Sequence, residues 1–308
     1  MADYGGAGER DGLWPEPAGW RLLMAVERGE DNSMTEWQSG EVVANGITIH
    51  YHRTGGGGPP LVLNHGATDN GLCWLRLARE LQGEYDIIMP DARGQGQSEA
   101  PEGGYDSATR AADLAAFIRA LGLARPAVGG HSMGAMTTFY LAATYSDLPR
   151  CAILEDPVFR TETVAPTEEE RRARAERQRR EADERQAMTR EQIVAWGRER
   201  NPTWDEAEFG PWAESKQQVS AKFNMGGSVR PTEQTGWRDL IPKITCPTLL
   251  VTGDPERGAI VTPEAAAEAA RLNPKVQVVR LHGAGHNIRR EQFEGFLQAV
   301  REFLLAVA

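Results

Sequence analysis

The chain has 308 residues, 40% of them hydrophobic and 25% charged, with 44 Asp and Glu against 34 Lys and Arg and a formal net charge of −10. This is a globular composition, and its negative balance argues against nucleic acid or an anionic membrane surface as a partner. No apolar run approaches the roughly 18–20 residues of a membrane span, and the first residues make neither a basic nor an apolar leader, so the expected location is cytoplasmic.

Residues 1–40 form an N-terminal extension whose Trp14, Pro15, Pro17 and Trp20 are too apolar for a solvating tail and too irregular for a core element. It is expected to pack on its own domain or on a second subunit, and a homodimer could form through it or through the cap described below. From Glu41 the pattern turns to short β-type runs. Glu41–Val43, Ile47–His52 after the Asn45-Gly46 turn, and Leu61–Leu63 read as strands, the first two as a hairpin. A helix around Cys73–Gln82, a strand Asp86–Met89, a helix Ser107–Leu121, a strand Pro126–Val128, a helix to about Tyr145 and a strand Cys151–Leu154 follow. Such alternation predicts an α/β fold with a mostly parallel sheet.

The alternation stops over residues 157–240, where no strand is expected. Residues 166–200 are dense in Glu, Arg, Ala and Gln, and pairs such as Glu176/Arg180 and Glu181/Arg185 set acid before base at i,i+4, predicting one long, solvated helix. Trp196, Trp204, Trp212 and Trp237 lie in the same insertion; some must pack its helices together, and a cap that closes over an apolar pocket also needs such side chains. Strand and helix then resume with Thr248–Thr252, Pro263–Leu272, Val276–Leu281 and a last amphipathic helix Arg290–Leu305. The reading is one α/β core, residues 41–156 and 241–308, split by a helical cap. Cys73, Cys151 and Cys246 are far apart and odd in number, which suits reduced core thiols and neither a disulfide framework nor a zinc site.

Gly130-His131-Ser132-Met133-Gly134 stands between an apolar strand and a helix, where a tight turn lifts a serine hydroxyl to a helix N-terminus. A serine needs a base to take its proton. Of the six histidines, His286 in a glycine-rich loop before the last helix is placed to reach over the carboxyl edge of the sheet, and His282 is the runner-up. Three carboxylates compete to orient it: Asp156 at the end of the strand beside the serine strand, and Asp254 and Glu256 after the next strand. Backbone N–H groups of Met133 and of Ala67, after His65-Gly66, are the expected oxyanion hole.

These residues resemble the α/β-hydrolase superfamily over residues 41–308, through His65-Gly66, Asp91–Ser98, Gly130–Gly134 and Gly283–His286. The resemblance implies the α/β-hydrolase fold, a mostly parallel eight-stranded sheet with an inserted helical cap, and no catalytic role for the Asp91–Ser98 turn. The superfamily more often takes its acid after the later strand, from G-x-x-D, where this chain has Glu256. Leu154-Glu155-Asp156-Pro157 is instead similar to the class that takes it from the strand after the nucleophile, which includes N-formylmaleamate deformylase-like enzymes and zearalenone lactonases. Asp156 is therefore the preferred acid, with Asp254 the alternative.

The resulting expectation is a serine hydrolase without cofactor or metal that cleaves a small, apolar carboxylic ester or lactone through an acyl-enzyme. His131, Trp196, Trp204 and Trp212 are expected at its substrate pocket. Amide or N-formyl hydrolysis is the alternative within enzymes, with Arg160 and Arg230 as guesses for an acidic substrate. A slow-turnover ligand sensor with a retained triad is the alternative outside them.

Overall fold

In a computed structural model, residues 21–22, 37–159, 167–223 and 236–307 are described. Strands β1 (Arg21–Leu22), β2 (Gln38–Ala44), β3 (Ile47–Arg53), β4 (Pro60–Asn64), β5 (Asp86–Pro90), β6 (Ala127–His131), β7 (Cys151–Glu155), β8 (Thr248–Thr252) and β9 (Val276–Arg280) form one sheet in the order β1-β2-β3-β5-β4-β6-β7-β8-β9. β1 to β3 and the β3–β5 pair are antiparallel, and the rest is parallel. The eight strands read from the sequence are all present. β1, two residues of the N-terminal extension, is added outside β2, while Trp14 and Trp20 lie outside the described residues.

Period-two alternation explains why the central strands are apolar throughout, since both faces are covered. Leu61 and Leu63 of β4 turn to the face packed by α1 (Leu75–Leu81) and by the last helix, through Trp74, Leu77, Phe296 and Phe303. Val62 between them turns to α2 (Ser107–Ala120), with Phe117 and Ile118. The helix α3 (Met133–Thr144) and α8 (Pro263–Leu272) complete that second layer through Phe139, Ala265 and Ala269. The three cysteines are buried and free.

Between β7 and β8 the described residues hold helices and no strand: α4 (Glu168–Gln186), α5 (Arg190–Arg200), α6 (Glu206–Gln217) and α7 (Trp237–Leu240). The single helix expected over 166–200 is two. Thr189 caps α5 by accepting from the Gln192 N–H while the Gln192 side chain accepts from the Thr189 N–H, a reciprocal box that starts a new helix where the charge pattern alone runs on. Thr167 and Glu170 make the same box at the start of α4. Of the i,i+4 pairs, Glu181 and Arg185 meet at 3.8 Å. The last amphipathic helix likewise comes in two pieces, α9 (Ile288–Glu291) and α10 (Phe293–Ala306), divided at Gln292.

Candidate active site

Parallel register sets the site. His131 pairs with Glu155 across β6 and β7, and the Ser132 N–H donates to the Glu155 carbonyl, so Ser132 and Asp156 both emerge at the carboxyl end of the sheet. Ligand sites of open α/β sheets gather at this edge. Ser132 has φ +51° and ψ −111°, a conformation that L residues seldom adopt and that turns its side chain clear of the strand. The turn fits only because its neighbours lack Cβ atoms: a Cβ on Gly130 would lie 2.3 Å from the Gly134 backbone, and one on Gly134 would lie 2.1 Å from the Asn64 carbonyl oxygen.

The loop after β9 carries His286 to this point. Its Nε2 is 2.9 Å from Ser132 Oγ, and its Nδ1 is 2.5 Å from Asp156 Oδ2. Because a carboxylate only accepts, Nδ1 carries the proton and Nε2 is left to accept from the serine hydroxyl. Asp156 is fully buried and has φ +42°. Its carboxylate also accepts from the Ile260 and Val261 N–H groups at 2.8–3.1 Å, so the loop after β8 holds this acid in place.

Asp254 stands elsewhere. It accepts from Arg280 at 2.8 and 3.0 Å, from the Gly283 N–H at 2.7 Å and from His282 Nδ1 at 3.1 Å, tying the ends of β8 and β9 together. Its pairing with His282 places that histidine with it. Glu256 is exposed and 3.9 Å from Arg280.

Met133 opens α3, whose first N–H groups have no acceptor within the helix, and Ala67 follows Gly66 at the end of β4. The two loops touch: a Cβ on Gly66 would meet His131 Nδ1 at 2.6 Å. His131 lies beneath the site, buried, with Nε2–H donating to the His286 carbonyl at 2.9 Å and its ring centroid 4.7 Å from that of His286. Burial, with Arg289 and His286 nearby, holds the His131 imidazole well below its usual pKa, so it is neutral.

The tryptophans of α5 and α6 and the turn between them pack on one another. Trp196 stacks on Trp212 at 5.5 Å, Trp204 meets Trp212 edge-on at 5.9 Å, and Ile193 and Phe209 fill in beside them as a small core of α5 and α6. Trp237 stacks on Phe159 at 4.8 Å within the main core. Arg160 and Arg230 lie outside the described residues.

The sequence reading missed a buried ion network between α6 and the residues around the site. Asp69 accepts from Lys216 of α6 at 2.7 Å and from Arg290 at 3.2 Å, Arg290 also pairs with Glu208 of α6 at 3.1 Å, and Arg289 pairs with Glu155 at 3.2 Å. Burial opposes ionisation of Asp69, but Arg290, Lys216 and Arg289 outweigh it and hold the carboxyl well below its usual range. Arg289 and Arg290 also lie over the faces of Trp74 and Trp204. The only signal in the sequence is the Arg289-Arg290 pair at the start of the last amphipathic stretch.

Among the described residues, His50, His52 and Asp91 bring potential metal-ligand atoms within 4.8 Å of one another. Asp91 there already accepts from the Gly71 and Gln97 N–H groups and from His50 Nδ1, bonds that shape the Asp91–Ser98 turn.

Residues 59–289 match the sequence profile of the alpha/beta hydrolase fold, and the chain belongs to that family. It is 31% identical over 275 residues to N-formylmaleamate deformylase of Pseudomonas putida, covering 86% of this chain and 96% of that one. It is also 31% identical over 262 residues to 2-(acetamidomethylene)succinate hydrolase of Mesorhizobium japonicum, covering 84% and 92%. A solved esterase from Thermogutta terrifontis superposes with a TM-score of 0.65 at 29% identity, over 88% of this chain and 99% of that one. No described helix is long and apolar enough to cross a membrane.

Proposed function

We propose that this hydrolase cleaves an acyl–nitrogen bond in a small carboxylated substrate by way of a serine acyl-enzyme. The observation that carries the mechanism is the unbroken chain Ser132 Oγ, His286, Asp156, with both hydrogen bonds at 2.5–2.9 Å. Ser132 attacks the carbonyl carbon as its proton passes to His286 Nε2, and Asp156 stabilises the imidazolium that forms. The Ala67 and Met133 N–H groups hold the oxyanion. His286 then gives its proton to the leaving nitrogen and takes one from the water that releases the acyl group.

The bond type rests on the two 31% identical relatives, whose names describe formylated or acetylated nitrogen on a maleamate or succinate skeleton. Their names also favour a carboxylated substrate over the apolar one expected from the cap tryptophans. The second reading is the ester or lactone hydrolase expected from the sequence, and the likeness to the 29% identical esterase favours it.

Initial rates on N-formylmaleamate, 2-(acetamidomethylene)succinate and p-nitrophenyl acetate test the choice. The proposal expects kcat/KM on one of the first two to exceed that on the ester. The reverse order favours the esterase. Turnover slower than about one per hour on all three, with tight binding, favours a sensor, since enzymes typically run at ~1–10³ s⁻¹. Ser132→Ala should abolish any activity found.

A further inference from the structure

Thr68, next to the candidate oxyanion donor Ala67, has φ +63°. A left-handed conformation is a genuine outlier for a β-branched residue and persists only where surroundings force it. The surroundings here act on every polar atom of Thr68. Its N–H donates to Gln95 Oε1 at 2.6 Å, its carbonyl accepts from Lys216 Nζ at 2.7 Å and Ser215 Oγ at 3.1 Å, and its Oγ1 lies 3.2 Å from Lys216 Nζ.

Gln95, Ser215 and Lys216 are all buried, and Gln95 and Lys216 have a second grip on the site. Gln95 is fully buried, and its Nε2 lies 3.7 Å from Sδ of Met133, whose N–H is the other oxyanion donor. Lys216 spends its third proton on Asp69, so the ammonium is saturated by Thr68 and Asp69 alone. Asp69 is in turn paired with Arg290, four residues after His286. One side chain from the Asp91–Ser98 turn and two from α6 thus converge on Thr68, the residue that follows Ala67.

We propose that Lys216 and Gln95 are positioning residues for the hydrolytic reaction: they clamp Thr68 in its left-handed conformation and so aim the Ala67 N–H at the developing oxyanion. The cap is by this reading part of the oxyanion machinery, besides whatever it does for substrate. The inference rests on Ser132 as nucleophile and Ala67 as oxyanion donor.

The test uses the full chain and the variants Lys216→Met, Gln95→Leu and Thr68→Gly, with circular dichroism and thermal melts to show folding. Thr68→Gly keeps the experiment decisive where loss of a buried polar partner prevents folding: glycine takes φ +63° without strain, so the chain folds, but without the Oγ1 bond to Lys216 it also takes other φ values, so the Ala67 N–H loses its aim. The readouts are kcat and KM on whichever substrate is turned over, and Ki of an alkylboronic acid, whose tetrahedral adduct places an oxygen in the hole. Misplacing one donor should cost about 10- to 100-fold in kcat and a similar factor in boronate Ki, less than the ~10²–10³ of removing a donor, with KM within about threefold. Folded variants with unchanged kcat and Ki, or with loss confined to KM, overturn the clamp. Labelling of the wild-type chain by a fluorophosphonate separates the two levels. Absence of label at Ser132 removes the nucleophile and the clamp together, whereas label with unaffected variants removes the clamp alone.

Discussion

Asp156 and His286 meet at 2.5 Å although 130 positions, helices α4 to α7 among them, separate them in the chain. The contact forms because β7 ends beside β6 in the sheet, and because Ile260 and Val261, from the loop that more often supplies the acid in this superfamily, donate their N–H groups to Asp156 instead. Asp156→Asn should therefore lower kcat by about 10³–10⁴, since an amide facing Nδ1 favours the wrong tautomer of His286. Asp254→Asn should leave kcat within about threefold and lower the melting temperature, because its partners are Arg280, His282 and the Gly283 N–H. The opposite ranking of the two variants in steady-state rates would return the acid to Asp254.

A second prediction concerns the elbow. A Cβ at Gly134 would meet the carbonyl oxygens of Asn64 at 2.1 Å and His65 at 2.6 Å, and both are backbone atoms that have no rotamer to change. Gly134→Ala should cost about 2–4 kcal/mol in urea unfolding. It should also lower kcat, because β4 and the loop that carries Ala67 can yield only by moving away from Ser132. A variant as stable and active as the parent would show that the close approach is not required.

Much of this site was legible in the sequence, and the limits have a physical pattern. Ser132 and its glycines could be read because the signal is local: a strand, a sharp turn and a helix lie within one short stretch. His286 could be read from its glycine-rich loop and its place after the last strand. The acid could be narrowed and not decided, because Asp156 and Asp254 end neighbouring parallel strands and the choice turns on which carboxylate the loop at Ile260–Val261 faces. The break between α4 and α5 was hidden by charge periodicity that continues across Thr189. Of the two uses the sequence suggests for the inserted tryptophans, packing helices together is the one seen in α5 and α6, where Gly197 lets Trp212 approach closely. The Asp69 network left no trace but the Arg289-Arg290 pair, since Lys216 is 147 positions from Asp69 and Arg290 is 221.

That network predicts a contrast between two arginines. Arg290 and its partners Asp69 and Glu208 are at most 5% exposed as side chains, so Arg290→Met leaves two buried carboxylates short of a cation and should cost about 3–5 kcal/mol. Arg198 of α5 pairs with Glu206 of α6 at the surface, both more than half exposed, and Arg198→Ala should leave the melting temperature unchanged. Thermal melts at equal salt check both. A small effect at Arg290 would mean that Lys216 and Arg289 suffice to neutralise Asp69.

The buried histidines predict how stability responds to acid. Burial lowers the pKa of His52 from 6.5 to about 4, and burial also lowers those of His65 and His131. Between pH 6.5 and 4 the unfolded chain binds protons that the folded chain refuses, so stability rises with pH across that window and falls on acidification. His52 alone contributes about 3 kcal/mol of this loss at full effect. Asp69 and Asp91 act lower: with folded pKa values held below 3.8, their stabilisation is present above pH 3.8 and is lost as pH falls through those values. Glu155 opposes them, because burial raises its pKa above 4.5 and its contribution is lost as pH rises through the folded value. Three histidines against one glutamate set the sign. Urea unfolding should give constant stability from pH 8 to 7 and a decline from pH 6.5 to 4, and His52→Phe, if it folds, should shallow that decline. Stability that is flat or rises on acidification through this window would mean that these rings are protonated in the folded protein.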